Sequence, residues 1–333
     1  MKIQITIIGL GQIGASIGMA LAQKSDQIER IGYDVDSKVM RQAPKLGAVD
    51  KTSSNLRKVL KTSDVLLLAL PTDEMRTMME ELLPLMKPGA ILLDTALSKE
   101  MVAAWAAELL PDGCSYVGLT PVINPDYLVS TVSGIDSARA DLFHNGMIAI
   151  TSPPNTDAKA IKFAADLTQL LDATVLFADM LEVDSIMSAT HIIPQLLAAA
   201  LLNATVNQPN WREAGKMAGR AYAEVSGPIE HLGLPGTLAA NAMQNREHVL
   251  RVLNSVIASI KTLRDDIAAE DVETLNKRLE RAYQGREKWW QDRHPEIRGP
   301  QAASPYKKPS MSSMLFGDML SSRRRKPKDE NLD

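Results

Sequence analysis

The feature that most constrains this chain is a glycine-rich turn near its start. Gly9, Gly11 and Gly14 have the spacing G-x-G-x-x-G and follow Ile3–Ile8, a short apolar run rich in β-branched residues. Apolar residues at helical spacing come next, and Asp34 lies 20 residues after Gly14, beside a second predicted strand. A strand, a glycine turn, a helix, a strand and an acid in this order are typical of the dinucleotide-binding βαβ unit.

Each of these residue types has a physical role in holding a dinucleotide. The first glycine allows the tight turn, the second lets the backbone approach the pyrophosphate, and the third lets the helix pack on the strand. The helix start at Gln12 and Ile13 offers N–H groups and a positive dipole end to the phosphates. Asp34 can accept hydrogen bonds from a ribose 2′-hydroxyl and would repel a 2′-phosphate, and no Lys or Arg follows it before Lys38. We therefore predict NAD rather than NADP; the alternative is a glycine turn without a ligand.

Predicted strands and helices alternate over residues 1–178. The run 64–70 is continuously apolar after its first residue and is followed by Pro71, which is typical of a parallel strand covered on both faces. The alternation predicts an α/β fold, with a Rossmann-like, doubly wound, mostly parallel sheet as the first domain.

The pattern changes after residue 178. Apolar residues then recur at helical spacing without strand-like runs, which predicts an all-helical second domain over 179–292, with helices at 180–204, 211–222, 238–268 and 272–290. These helices are more apolar than a small bundle needs, which favours a homodimer over a thick monomeric core. Residues 293–333 are rich in Pro and Ser and contain a basic run at 323–328, so we predict a disordered tail rather than a nucleic-acid or membrane patch.

The composition narrows the function classes further. The 333 residues carry a formal net charge of −3, so neither nucleic acid nor a membrane is predicted as a partner. Cys114 is the single cysteine, which excludes an intramolecular disulfide and fits a reducing compartment. The five His lack metal-ligand spacing, so no metal is predicted. There is no signal-peptide pattern, and the longest apolar run, 192–202, is too short to span a bilayer, so we predict a cytoplasmic protein.

Several stretches, taken in order, resemble the prephenate/arogenate dehydrogenase family. They are G-L-G-Q-I-G-A-S at 9–16, G-Y-D at 32–34, D-V-L-L-L-A-L-P at 64–71, P-Q-L-L-A-A-A-L at 194–201, N-R-E at 245–247 and the late segment 282–289. The resemblance implies oxidation of prephenate, or of its amino analogue arogenate, by NAD with loss of CO₂. That chemistry needs a nicotinamide over the ring, a proton acceptor at the hydroxyl, and cations or hydrogen-bond donors for two carboxylates.

Two family motifs differ in this chain. The family has a His-Pro-x-x-Gly segment whose His bonds the reacting hydroxyl, and Thr120 stands where that His is expected. A second motif, Ser-His-Leu-Pro-His, begins the family's helical domain. When Pro194 is aligned with the Pro of this motif, His191 aligns with its Ser. Ile192 aligns with its first His and Gln195 with its second. Because one residue of offset is about 100° of rotation on a regular helix, this alignment separates His191 from the family's His.

The candidate site residues follow from these positions. His191, at the start of an apolar helix near the predicted domain junction, is the best candidate base, with helix capping or packing as the alternative. Thr120 and Asn124, like Ser98 and Lys99, follow strand ends, where α/β sheets bind ligands, and loop structure is the alternative. We further predict cofactor contacts at Leu70 and Pro71. Arg220 and Arg246 could bind substrate carboxylates or be ordinary exposed arginines.

Two other functions stay open at this point. One is a dehydrogenase or reductase of the hydroxyacid or imine-reducing type that acts on another small acid. The other is a catalytically silent NAD-binding protein. The absent family His residues favour both.

Overall fold

The computed structural model describes residues 2–130, 132–230 and 235–294. Most of the predicted tail, residues 295–333, lies outside the described residues. The described chain forms two compact units that divide between Met180 and Leu181.

The first unit is built on an eight-stranded sheet. Its strands are β1 (Ile3–Ile8), β2 (Ile28–Tyr33), β3 (Lys51–Thr52), β4 (Val65–Leu68), β5 (Ile91–Asp94), β6 (Ser115–Val122), β7 (Met147–Thr151) and β8 (Thr174–Phe177). They are ordered β3-β2-β1-β4-β5-β6-β7-β8, and every neighbouring pair is parallel except β6 and β7. The predicted doubly wound sheet is therefore confirmed. The edge strand β3 was not predicted, because two polar residues carry no strand pattern.

Helices cover both faces of this sheet. They are α1 (Gln12–Ala20), α2 (Ser37–Gln42), α3 (Leu56–Leu60), α4 (Thr72–Leu82), α5 (Lys99–Leu109) and α6 (Ala158–Leu170). One buried cluster joins alternate residues of β1 and β4, such as Ile5 and Leu67, to α1 and α6. The other joins Leu66 and Leu92 to α4 and α5. The continuous apolar runs of the central strands are thus explained by burial on both sides.

Strand register brings the carboxyl ends of the parallel strands into one row. Tyr33 pairs with Ile8, Ile8 with Leu68, and Leu68 with Asp94. The row continues through Gly118 of β6 to Thr151 of β7. The polypeptide that follows β1, β2, β4 and β5 leaves the sheet at this edge, while β6 continues four residues further, to Val122. Strands β7 and β8 run in the opposite direction. The strand order reverses between β1 and β4, which is where open α/β sheets form a ligand crevice.

In the described residues the second unit consists of helices. They are α7 (Met180–Met187), a π-helical turn (Ser188–Ile192), α8 (Ile193–Thr205), α9 (Trp211–Met217), α10 (Arg220–Ser226), α11 (Pro235–Gln244), α12 (Arg246–Ala268) and α13 (Val272–Arg293). The predicted single helices at 211–222 and 238–268 are wrong. The first is interrupted at Ala218 and Gly219, which have extended backbone, and the second at Asn245, which starts α12.

The segment Met180–Thr205 is a continuous helix of 26 residues that includes the π-helical turn. It is therefore much longer than the apolar run 192–202. By length and composition it could cross a membrane, although 33% of its most apolar window is buried inside the described protein. Core helices of soluble proteins meet the same criteria, so the absence of a membrane partner stays a prediction.

Candidate functional site

The glycine turn between β1 and α1 depends on two glycines for its shape. Gly9 has a φ of +89°, and a Cβ at this position would overlap Ala69 O. A Cβ at Gly14 would overlap Gly9 O, so the helix could not lie this close to the strand. Both glycines are therefore required by the packing of the turn itself.

Gly11 serves a different purpose. Apart from its two neighbours in the chain, no described residue has a heavy atom within 4 Å of a Cβ built on it, and its φ of −71° suits any residue. It directly precedes α1, whose start at Gln12 and Ile13 has no side-chain cap. An unfilled cradle beside an uncapped helix N-terminus fits a pyrophosphate, which would accept hydrogen bonds from the first-turn N–H groups.

Asp34 is held beside this turn. Its carboxylate accepts hydrogen bonds from Leu10 N at 2.8 Å and from Asp36 N at 2.9 Å. The side chain is half-buried at the end of β2, where it can still accept from a ribose hydroxyl because each oxygen has a second lone pair. Leu70 also lies against the glycine turn, because its Cδ2 is 3.1 Å from a Cβ built on Gly9. The structure thus brings Gly9, Gly11, Gly14, Asp34 and Leu70 together, while Pro71 is exposed before α4.

Lys99 belongs to a buried polar cluster at the end of β5. Its side chain is 0% exposed, and its Nζ lies 2.7 Å from Asp94 Oδ1. The hydroxyl of Tyr116 donates to Asp94 Oδ2 at 2.7 Å. A buried lysine requires such a partner, because an unpaired charge in the interior is costly. Lys99 is therefore positioned by Asp94, and Ser98, also buried, directly precedes α5.

Tyr116 was missed by the sequence analysis. The sequence gives little indication of its role, because Tyr116 lies 22 residues from Asp94 and looks like an ordinary aromatic residue of a strand. Gly118, two residues on, lies against the cluster: a Cβ there would be 2.8 Å from Lys99 Cδ and 2.6 Å from Thr151 Oγ1.

Thr120 lies inside β6 rather than at its end, which corrects its predicted position. It is paired with Ala149 of β7 and lies beyond the last residue of β5. Side chains alternate along a strand, so Thr120 faces the same side as Gly118 and Tyr116. It is 2% exposed, and no partner for its Oγ1 lies within hydrogen-bond distance among the described residues. A buried hydroxyl without a partner is uncommon and suits a ligand contact.

Asn124 follows β6 and caps a short 3₁₀ turn, since its side-chain oxygen accepts from Asp126 N at 3.0 Å. It is buried. The side-chain oxygen of Asn124 is thus occupied by the cap, and its amide nitrogen lies 3.5 Å from Asp141 O.

His191 lies in the π-helical turn, in the middle of the helix Met180–Thr205, and not at a helix start as predicted. The turn is marked by Ile193 N, which donates to Ser188 O five residues back. Such turns are rare and often occur at functional sites. The predicted alternative of a helix-capping His is therefore wrong.

The environment of His191 favours a neutral imidazole. The side chain is exposed to solvent, yet desolvation by the surrounding protein lowers the pKa of His191 from its ordinary value of 6.5. Its Nδ1 lies 3.0 Å from Thr190 Oγ1. A neutral imidazole can accept a proton at physiological pH.

The two candidate arginines lie on the surface of the second unit. The Arg220 side chain is 90% exposed at the start of α10, and its Nε donates to Glu224 at 2.7 Å. Arg246 is the exposed first residue of α12.

The comparisons with known proteins find prephenate dehydrogenases. The family model described as the prephenate dehydrogenase nucleotide-binding domain matches residues 17–177, from within α1 to the end of β8. This part of the chain belongs to the nucleotide-binding domains of prephenate dehydrogenases. The predicted dehydrogenase class is thereby confirmed: the chain is a dehydrogenase of aromatic amino acid biosynthesis whose first unit contains a nucleotide-binding domain.

Relatives match over most of their length. A prephenate dehydrogenase of Bacillus subtilis is 24% identical over 83% of this chain and 73% of its own. A cyclohexadienyl dehydrogenase of Zymomonas mobilis is 23% identical over 85% of this chain and 94% of its own. The solved structure of an Aquifex aeolicus prephenate dehydrogenase with hydroxyphenyl propionate and NAD⁺ has a TM-score of 0.75 at 19% identity, covering 86% of this chain and 98% of that one. At this identity, the similarity to the Aquifex structure shows a shared fold.

Proposed function

We propose that this dehydrogenase oxidises prephenate, or its amino analogue arogenate, with loss of CO₂. The observation that carries the proposal is the match of 17–177 to the prephenate dehydrogenase nucleotide-binding domain. The names of the Bacillus and Zymomonas relatives support it. The glycine turn, Asp34 and Leu70 would hold NAD, which accepts the hydride when bound.

The reaction defines what the chain's own residues must do. The ring carbon that bears the hydroxyl loses a hydride, the hydroxyl loses its proton, and the C–O bond becomes a carbonyl. The bond to the ring carboxylate breaks and CO₂ leaves, so its electrons close the aromatic ring and leave a phenolate, which takes back the proton held by the acceptor to give the phenol of the product. The residues must therefore accept one proton and orient two carboxylates.

We assign proton acceptance to His191. Its neutral imidazole and its exposure support this role. The π-helical turn takes up one residue more than an α-helical turn. It therefore compensates for the one-residue offset between His191 and the first His of the family motif, which on a regular helix would be about 100° of rotation.

We assign contact with the substrate hydroxyl to Thr120, because its buried Oγ1 lacks a partner among the described residues. A Thr hydroxyl can hydrogen-bond but cannot act as a base near neutral pH. Ser98, Lys99 and Asn124 are proposed to shape the substrate side of the same sheet edge. Arg220 and Arg246 remain proposed carboxylate ligands, since an exposed guanidinium can offer two parallel hydrogen bonds.

We also propose a homodimer formed through the helical unit, in the cytoplasm. Support comes from the apolar side chains that this unit leaves exposed, including Leu250, Ile257 and Ile260 of α12. Its buried cluster is small in comparison.

The test is NADH formation with prephenate and with arogenate as separate substrates. Turnover with either is expected, and no turnover with either by protein shown to bind NAD would overturn the proposal. His191→Ala should lower kcat by about 10²–10⁴, the usual contribution of a general base. A fall of less than about tenfold would remove His191 from this role.

A further inference from the structure

The hydroxyl of Thr190 has one proton and two neighbours. Its Oγ1 lies 2.8 Å from Ile186 O and 3.0 Å from His191 Nδ1. A carbonyl oxygen can only accept, so the hydroxyl proton goes to Ile186 O. Both contacts are then satisfied only if Thr190 accepts from His191, which requires a proton on Nδ1.

This proton count determines the free nitrogen of His191. A neutral imidazole carries one proton, so Nε2 has a lone pair when Nδ1 is protonated. Within the described residues, Nε2 has no hydrogen-bond partner. It is therefore the nitrogen that can accept a proton from outside the helix.

The π-helical turn decides which way this ring faces. From residue 183 to residue 193, the buried positions of the long helix are Val183 and Asp184, then Met187 and Ser188, and afterwards Ile192 and Ile193. The first step is four residues, as in an α-helix, and the second is five. In a regular helix residue 191 would follow 184 and 187 on the buried face. The wider turn places Ile192 and Ile193 there and leaves His191 exposed.

We infer that Thr190 is a positioning residue that holds His191 in the Nδ1–H tautomer, so that Nε2 is the basic nitrogen offered by the π-helical turn. The inference rests on the proposed role of His191 for its catalytic consequence. The tautomer itself is a property of the protein without substrate, so the two can fail separately.

The tautomer is tested by ¹⁵N NMR of the full chain labelled at histidine, at a pH where His191 is neutral. His191→Gln assigns the His191 signals among the five His. The wild type should show a protonated Nδ1 and an unprotonated Nε2. Thr190→Val keeps the β-branched shape without the hydroxyl and should populate the Nε2–H tautomer, whereas Thr190→Ser should retain the wild-type pattern.

Thr205→Val is the matched control. Thr205 lies in the same helix and donates to Leu201 O at 2.8 Å, as Thr190 does to Ile186 O, but its other neighbour is Tyr222 and not a His. With the substrate that is turned over, Thr190→Val should lower kcat about tenfold or more with KM within about twofold, as for partial loss of a general base. Thr190→Ser and Thr205→Val should keep kcat within about threefold.

Two results would overturn the inference: a wild-type spectrum with the proton on Nε2, or a Thr190→Val spectrum identical to the wild type. The wild-type spectrum decides the tautomer even if Thr190→Val does not fold. An Nδ1–H tautomer that Thr190 controls, in a protein without turnover of prephenate or arogenate, would support the inference and reject the proposed function.

Discussion

At the scale of single residues, the proposed reaction depends on the protonation state of His191. A side chain can be reachable by solvent and still be surrounded by enough protein to disfavour its charged form. This is the case for His191, because desolvation lowers the pKa of this imidazole. Its base form is therefore the majority form at neutral pH.

The first prediction concerns pH. Only neutral His191 can accept the substrate proton, so kcat/KM should be constant near neutrality and fall as the pH drops through the pKa of His191. Because that pKa is lowered, the midpoint of the acid limb should lie below 6.5. Initial rates of NADH formation between about pH 5 and 8 test this. His248→Gln, a control in the same unit, should keep the limb; a wild-type midpoint above 6.5 contradicts the prediction.

The second prediction concerns Asp34. Asp34→Ala should weaken NAD binding about tenfold or more, which corresponds to the loss of a charged hydrogen bond, and should weaken NADP binding less. Asp36→Ala is the control, because Asp36 caps α2 by accepting from Lys38 N and has no predicted nucleotide contact. It should keep the ratio of the two affinities. Titration calorimetry measures both, and a wild type that prefers NADP contradicts the assignment.

At the scale of elements, the sequence predicted the features that depend on residues close together in the chain. The glycine turn and strand β4 were predicted because backbone freedom and continuous apolar runs are visible in a short window. The π-helical turn was not, because it depends on Ile192 and Ile193 packing into the helical core. The Asp94–Tyr116 contact joins two neighbouring strands across 22 residues of sequence, so it leaves no local pattern either. The unpartnered hydroxyl of Thr120 likewise depends on the register of β6 and β7.

The third prediction separates two glycines of one turn. Gly14→Ala should destabilise the protein by about 1–3 kcal/mol or more, because its Cβ would overlap Gly9 O and force the backbone apart. Gly11→Ala should change stability by about 0.5 kcal/mol or less. It should still weaken NAD binding about tenfold, since the methyl group would occupy space meant for the pyrophosphate. Urea unfolding and NAD titration of both variants are the measurements, and equal stability losses would contradict this reading.

At the scale of the whole molecule, the two units differ in how completely they bury their apolar residues. The sheet of the first unit has a large buried cluster on each face. The helical unit has a small one around Ile192, Ile193, Leu238 and Val249. On α12, Val249 and its neighbours face that core, while a second apolar stripe is exposed.

That second stripe has the spacing of a helix interface. Leu250, Ile257, Ile260 and Ile267 of α12 are exposed and follow each other at seven, three and seven residues. Residues at this spacing share one face of a helix, as in helices that pack against each other. Val272, Leu279 and Tyr283 repeat the pattern on α13. Exposed apolar residues that share one face of a helix favour an interaction site there.

The last prediction is that this stripe forms the interface of a homodimer. Sedimentation of the wild type should give about twice the chain mass of 36.3 kDa. Ile260→Glu should shift the protein toward the monomer, since a charge buried in an apolar interface without a partner costs several kcal/mol. Val129→Glu is the matched control: Val129 is 76% exposed on the first unit, against 55% for Ile260, and its substitution should leave the mass unchanged. A wild type that is monomeric at micromolar concentration, or a dimer insensitive to Ile260→Glu and to the same change at Ile257, would show that α12 does not form the interface.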